Sequence, residues 1–194
     1  MTDWKKLQSN LGVTADGIIG RNTLRALFQR MGANTARGVE LALSANVHFR
    51  EYGILDSGLR LAHFIAQVAH ESGGFVYMEE IASGAAYEGR ADLGNTQAGD
   101  GKRYKGRGPL QLTGRANYRE YGQALGIYFE EHPDIVAYPS IGLHVACEYW
   151  KRKGLNALAD MDDVTAITKK VNGGLNGFDD RKSKLAKVKG LIGI

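Results

Sequence analysis

The sequence contains one cysteine, Cys147, in 194 residues, which excludes an intrachain disulfide and any disulfide-stapled scaffold. It has only three prolines, and its hydrophobic and charged fractions, 43% and 24%, are near average, so collagen-like and disordered chains are excluded as well. No apolar run approaches the roughly 20 residues that span a bilayer, and no membrane insertion is expected. Met1-Thr2-Asp3-Trp4 opens no secretory signal. Neither sign of charge dominates, since 25 basic against 21 acidic side chains leave +4. That balance favours an anionic partner but is too weak to imply nucleic acid. What is present is glycine, 26 residues of it, and enough chain for one compact domain with a substantial core.

Apolar residues recur with helical spacing through most of the chain. Trp4, Leu7 and Leu11 share a stripe, Gly17 and Gly20 interrupt it, and Leu24, Leu27 and Phe28 resume it. This predicts a small helical pair over residues 1–35. The polar stretch Gly32–Arg37 marks a soft boundary before a larger domain over 36–194. There, Val39, Leu41, Leu43 and Val47 predict a core-facing stripe that ends near Tyr52-Gly53. Leu59, Leu61, Ala62, Phe64, Ile65, Val68 and Ala69 give the following helix a broad apolar face, stopped by Gly73-Gly74. From Ala82 to Gly108 the chain is polar and glycine-rich with no apolar period. So long an irregular stretch inside a compact domain points to function. Further helices are expected near 114–126, 138–153, 162–171 and 179–191. No strand of convincing length is signalled, and the fold class is mainly α.

Chemistry concentrates where the most apolar helix ends. In His70-Glu71-Ser72-Gly73-Gly74-Phe75, Glu71 closes a hydrophobic face, a costly place for a carboxylate without a task and a suitable one for a proton donor. The plainer reading is a helix-end glutamate turned to water. Across the Gly-Gly turn lie Glu79 and Glu80. Two carboxyls on separate backbone segments around a cleft are the minimum apparatus of glycoside hydrolysis, and a gap of roughly 6.5–9.5 Å would admit a water.

Other chemistries fit less well. An H-E-x-x-H zinc site needs a second imidazole at position 74, which is Gly, and His48, His63, His132 and His144 show no ligand spacing, so no metal is expected. Cys147 lies in the amphipathic run Ile141–Trp150 and reads as a buried thiol rather than a peptidase nucleophile. The glycine-rich stretches lack the Gly-Lys-Ser/Thr of a phosphate cradle, and no cofactor is expected. Lys102, Arg103, Lys105 and Arg107 form a basic run, either a solvated loop or a surface for anionic polymers.

Three motifs, His70-Glu71-Ser72-Gly73-Gly74, Gly106-Arg107-Gly108-Pro109-Leu110-Gln111-Leu112-Thr113 and Val171-Asn172-Gly173-Gly174-Leu175-Asn176-Gly177, occur in this order in family 19 glycoside hydrolases. The chain resembles that family over about residues 38–192. The family includes plant and bacterial chitinases and many bacteriophage endolysins. The resemblance implies a lysozyme-like, chitinase-like multi-helix domain with a catalytic cleft, working by inversion without a covalent intermediate. Glu71 matches the general acid and Glu80 the general base, with Glu79 and Glu88 as alternatives for the base. Thr113 matches the Ser/Thr position that helps hold the attacking water. Gln111, Asn117 and Asn172 match positions that hydrogen-bond the N-acetylated sugar. Asn176 stands where plant members have an acidic residue, so the charge network must be wired differently, with Arg181 as a candidate basic partner.

The segment from Leu7 to Leu27, with Asp16-Gly17-Ile18-Ile19-Gly20 at its centre, resembles a shortened peptidoglycan-binding module; structural packing on the main domain is the alternative. Taken together, these resemblances imply an endolysin. It would be a monomer that hydrolyses β-1,4 bonds of peptidoglycan glycan strands and waits in the host cytoplasm before release to the periplasm and wall. A chitinase on the same scaffold, a lytic transglycosylase needing only Glu71, and a non-catalytic wall-binding protein are the alternatives.

Overall fold

The structure is a computed structural model that describes residues 2–194. Among these described residues ten α-helices carry the fold: α1 Trp4–Leu11, α2 Arg21–Arg30, α3 Thr35–Glu51, α4 Gly58–Glu71, α5 Asp100–Arg103, α6 Arg115–Leu125, α7 Pro139–Arg152, α8 Leu155–Asp160, α9 Val164–Asn172 and α10 Phe178–Ile192. Among the described residues there is no sheet, only two isolated antiparallel bridges, Glu79–Arg107 and Arg107–Leu112. The mainly α class is the observed one.

Helix α4 is the axis of the core. Every residue from Leu61 to Ala69 is buried, so burial extends right round this helix, beyond the apolar face, to take in His63 and Gln67. α10 packs along α4, α2 and α7 pack on α3, and α1 packs against α10. The first two helices share the main core, with Leu7, Leu24, Leu27 and Phe28 fully buried in the same cluster as Phe49, Phe64 and Trp150. A second cluster, built on Tyr104, Tyr118, Tyr121, Phe129 and Val136, lies under the loops that follow α4.

Two expectations are corrected. The apolar stripe of α3 is out of phase with its buried face: Leu41 is buried, but Val39, Leu43 and Val47 are exposed. The face turned inward is Gly38, Leu41, Ala42, Ala45 and Phe49. Small residues there let neighbouring helices approach, and Gly38 already lies so near α2 that a Cβ would sit 3.1 Å from the Gln29 side chain. The region 82–108 is also more ordered than its lack of apolar period suggested. It holds 3-10 turns at Ala85–Tyr87 and Ala91–Leu93 as well as α5. Its order comes from polar bonds. Glu88 accepts from the Gly99 and Gly101 N–H groups at 2.6 and 2.8 Å, and the buried Asp100 pairs with Arg115 at 2.5 Å. Hydropathy periodicity does not register such contacts.

Candidate active site

α4 ends at Glu71, and the chain then turns sharply. Ser72 donates its hydroxyl to the Val68 carbonyl at 2.7 Å and accepts the Phe75 N–H at 2.9 Å. Gly73, Gly74 and Phe75 are all left-handed, with φ of 57°, 74° and 66°. Glycine takes that conformation freely, whereas Phe75 is held in it by burial against Phe28, ring centroids 5.1 Å apart. This turn delivers the chain to Glu79 and Glu80, where it pairs with the Gly106–Thr113 loop. The Glu80 N–H donates to the Gly106 carbonyl at 2.9 Å and the Gly108 N–H to the Met78 carbonyl at 2.8 Å, while Arg107 and Leu112 exchange bonds at 3.1 and 2.8 Å.

Glu71 does not stand alone. Its Oε1 accepts from Arg181 Nη2 at 2.5 Å, and Arg181 is buried, with 1% of its side chain exposed against 24% for Glu71. The same guanidinium donates to Gln67 Oε1 at 2.5 Å and to the Asn176 carbonyl at 3.2 Å. Asn176 thus meets Arg181 through its backbone oxygen, and the charge on Arg181 is balanced by Glu71 alone among its partners. The bond to Arg181 engages one carboxyl oxygen and leaves Oε2 for a substrate.

The three glutamates considered as base have different surroundings. Glu79 is tied up by Arg107 Nε at 3.0 Å and Lys105 Nζ at 3.3 Å. Glu88 holds loop backbone, as described. Glu80 accepts from the Tyr87 hydroxyl at 3.1 Å and the Gly106 N–H at 3.1 Å. Burial, and then the bond to Glu80, raise the Tyr87 pKa, so its hydroxyl keeps its proton and remains a donor. A Cβ placed on Gly106 would lie 2.6 Å from Gln111 Oε1, 3.2 Å from Glu80 Oε2 and 3.3 Å from Thr113 Oγ1. These three polar atoms thus converge on one bare Cα, and glycine is needed there for room.

Gln111 is left-handed at φ 53°, an uncommon state for a residue with a Cβ, and its Nε2 donates to the Gly108 carbonyl at 2.9 Å. Thr113 donates to the Gln111 carbonyl at 2.9 Å, and Asn117 Nδ2 to the Thr113 carbonyl at 2.6 Å. Gln111, Thr113 and Asn117 line one cavity of about 500 Å³ together with Tyr149. Burial and then the charge of Glu71 raise the Tyr149 pKa, so its hydroxyl keeps its proton. Asn172 ends α9 with a buried Nδ2 that has no hydrogen-bond partner, an amide with an open donor.

Apart from the exposed Lys102, the basic run is not a free patch. Arg107 is buried and donates to Glu79, to the Tyr118 hydroxyl at 3.2 Å and to Asp134 at 2.6 Å. Lys105 reaches the Glu80 carbonyl at 3.2 Å, and Arg103 the Glu131 carbonyl at 3.0 Å. These cations stitch the loop together. Cys147 is fully buried, and burial pushes its thiol pKa far up, away from nucleophile chemistry. Sequence reasoning overlooked Tyr87 and Gln67, because nothing local marks a tyrosine or glutamine that will meet a carboxylate or guanidinium through the fold.

The family model described as Chitinase class I, glycoside hydrolase family 19, matches residues 59–166, more than half of the chain. The chain belongs to this family. It is accordingly a glycoside hydrolase, and residues 59–166 span Glu71, Glu80, Gln111, Thr113 and Asn117. A glycosyl hydrolase family 19 domain-containing protein of Haemophilus influenzae is 29% identical over 185 residues, 79% of this chain and 89% of that protein. Endochitinase EP3 of Arabidopsis thaliana is 33% identical over 153 residues, 73% of this chain but only 55% of the plant protein. In fold, this family 19 hydrolase is similar to chitinase C from Streptomyces griseus, with a TM-score of 0.72 and 24% identity over 87% of this chain and 76% of that one.

Proposed function

We propose that the protein hydrolyses β-1,4 bonds of peptidoglycan glycan strands by single-displacement inversion, as an endolysin does. The observation that carries the mechanism is the convergence of Glu80 Oε2, Thr113 Oγ1 and Gln111 Oε1 on Gly106. A carboxylate and a hydroxyl side by side can hold one water between them and take its proton as it attacks. Glu71, placed by Arg181 at the end of a rigid helix, protonates the leaving oxygen. The open amide of Asn172, with Gln111 and Asn117, supplies partners for the N-acetyl and hydroxyl groups of the sugar. Glu79 and Glu88 are spent on backbone and cations, which favours Glu80 as the base.

Peptidoglycan is preferred because of the shortened wall-module pattern in residues 7–27. The alternative substrate is chitin, the polymer for which the plant and Streptomyces relatives are named. Mass spectrometry of products from purified peptidoglycan beside products from chitin decides between them. Disaccharide-peptides with a hydrolysed reducing end support the proposal, and turnover of chitin oligomers alone overturns the substrate. Proton NMR of fresh product, before mutarotation, tests the mechanism. The α-anomer must appear first; a β-anomer or a 1,6-anhydro product overturns inversion.

A further inference from the structure

The last turn of α3 and the middle of α7 bring together three side chains that the glycosidase chemistry does not use. His48 and Glu51 sit three apart on α3, with His48 Nδ1 3.1 Å from Glu51 Oε2. His144, from α7, stacks on His48 with ring centroids 3.6 Å apart and planes 8° from parallel. One ligand atom from each of the three residues lies within 4.8 Å of the others. We propose that His48, Glu51 and His144 form a binding site for a divalent transition metal, with Zn²⁺ as the reference ion, that ties α3 to α7.

Three features support a site rather than a chance aromatic stack. The first is the donor set: two imidazoles and a carboxylate suit a borderline ion such as Zn²⁺ and do not suit Ca²⁺ or Mg²⁺. The second is a hydrogen-bond chain that fixes the free nitrogen of His144. Tyr52 donates its hydroxyl proton to Glu148 Oε2 at 3.1 Å, so the same hydroxyl must accept from His144 Nε2 at 3.2 Å. Nε2 then carries the hydrogen, and Nδ1 presents its lone pair. A ligating histidine whose other nitrogen is held by an outer hydrogen bond is the usual arrangement at metal sites. Glu148 is itself anchored by Arg152 at 2.7 Å, which keeps the chain rigid.

The third feature is access. The His48 side chain is 20% exposed and that of Glu51 61%, so an ion reaches them from solvent without opening the core. Tetrahedral Zn²⁺ with bonds of about 2.0–2.2 Å spaces its ligand atoms by roughly 3.3–3.5 Å. His48 Nδ1 and Glu51 Oε2, 3.1 Å apart, are already near that spacing, and the 4.8 Å that bounds all three ligand atoms is closed by side-chain rotation. The parallel rings must tip toward each other, because imidazole lone pairs lie in the ring plane. Three protein ligands leave the fourth position to water.

Zn²⁺ titration of the untagged full-length protein, by calorimetry and thermal melting, tests the site. One ion per chain should bind, and at a hundredfold excess over Kd the melting temperature should rise by roughly 5–10 °C. His48→Ala and His144→Ala should each weaken binding more than about tenfold, the least that losing even an outer partner costs. Should His144→Ala fold poorly on its own, Glu51→Gln, at an exposed helix end, decides instead. Absence of saturable binding in the wild type overturns the proposal. So does an affinity and melting shift that persist unchanged in the histidine variants or, where His144→Ala does not fold, in Glu51→Gln.

Discussion

At the residue scale, the two carboxylates differ in what holds them, and the difference is testable. Glu71 is held by a buried guanidinium and Glu80 by a backbone N–H and a tyrosine hydroxyl. Glu71→Gln keeps a side-chain oxygen for Arg181, so the fold should survive while kcat drops by about 10²–10⁴, the usual worth of a general acid. Removing the arginine is different. Arg181→Ala leaves Gln67 and Glu71 without their buried donor and should cost about 3–5 kcal/mol in urea unfolding, far more than Glu71→Gln. A kcat close to wild type in folded Glu71→Gln would remove Glu71 from the reaction. Gly106 gives a sharper steric test. It is not left-handed, so alanine is tolerated by the backbone, but the new methyl would push on Gln111 and Glu80. A displacement of that size should lower kcat at least tenfold with little loss of stability, measured by steady-state kinetics beside thermal melting.

At the element scale, the loop from Gln97 to Arg115 positions Thr113 through charge rather than through apolar packing. Arg115 bonds Asp100, Glu130 and Gln97, and its N–H is accepted by Asn95 at 2.9 Å. The Arg115 hydrogen bond holds the Asp100 carboxyl below its ordinary value, and Arg119 followed by Arg115 does the same for Glu130. Depressed carboxyl pKa values give stability that is complete above the unfolded value near pH 4 and lost as pH falls through the folded value. Urea unfolding should therefore show a stability loss below about pH 4 that is smaller in Asp100→Asn, which should also be the less stable protein at pH 7. An acid limb of the same size in the variant would place the acid sensitivity elsewhere. The same loop shows why some of the molecule was legible in the sequence and some was not. Helices α4, α6, α7, α9 and α10 follow from an apolar period, and their observed ends fall within two residues of the expected ones wherever an end was named. The α3 period shows a helix but not its inward face, because Gly38, Ala42 and Ala45 turn inward and carry little hydropathy. The short α8, six residues between α7 and α9, is too brief to show an apolar period. Glu71 and Glu80 were marked by their motifs, whereas Arg181 on Glu71, 110 residues away, was only a weak candidate and Tyr87 on Glu80 was not foreseen at all. Pairings of that kind exist only once the helices have packed.

At the scale of the whole molecule, the first two helices bear on the catalytic turn. Phe28 packs edge-on to Phe75, and Gly32 lies so close to Gly74 that a Cβ would meet the Gly74 carbonyl at 2.8 Å. The N-terminal pair thus supports the turn that runs from Glu71 to Glu80. Deleting residues 1–35 exposes the places of Leu7, Leu24, Leu27 and Phe28, each fully buried. Their removal uncovers the apolar faces they pack on, Phe49 and Phe75 among them, and a core opened on one side to that extent favours aggregation. The truncated chain should therefore be insoluble or molten, as judged by near-UV circular dichroism and loss of a cooperative melt. A deletion for that reason confounds any measurement of wall binding. Substitution does not, because Arg21, Asn22 and Arg25 are exposed and rim a groove beside Gln8 and Asp16 on this segment. Replacing the three by alanine should leave the melt unchanged. If the segment grips the wall, pull-down on purified peptidoglycan falls while hydrolysis of short soluble glycans stays constant. If pull-down is unaltered, residues 1–35 serve the fold alone, as a brace behind the Gly73-Gly74-Phe75 turn.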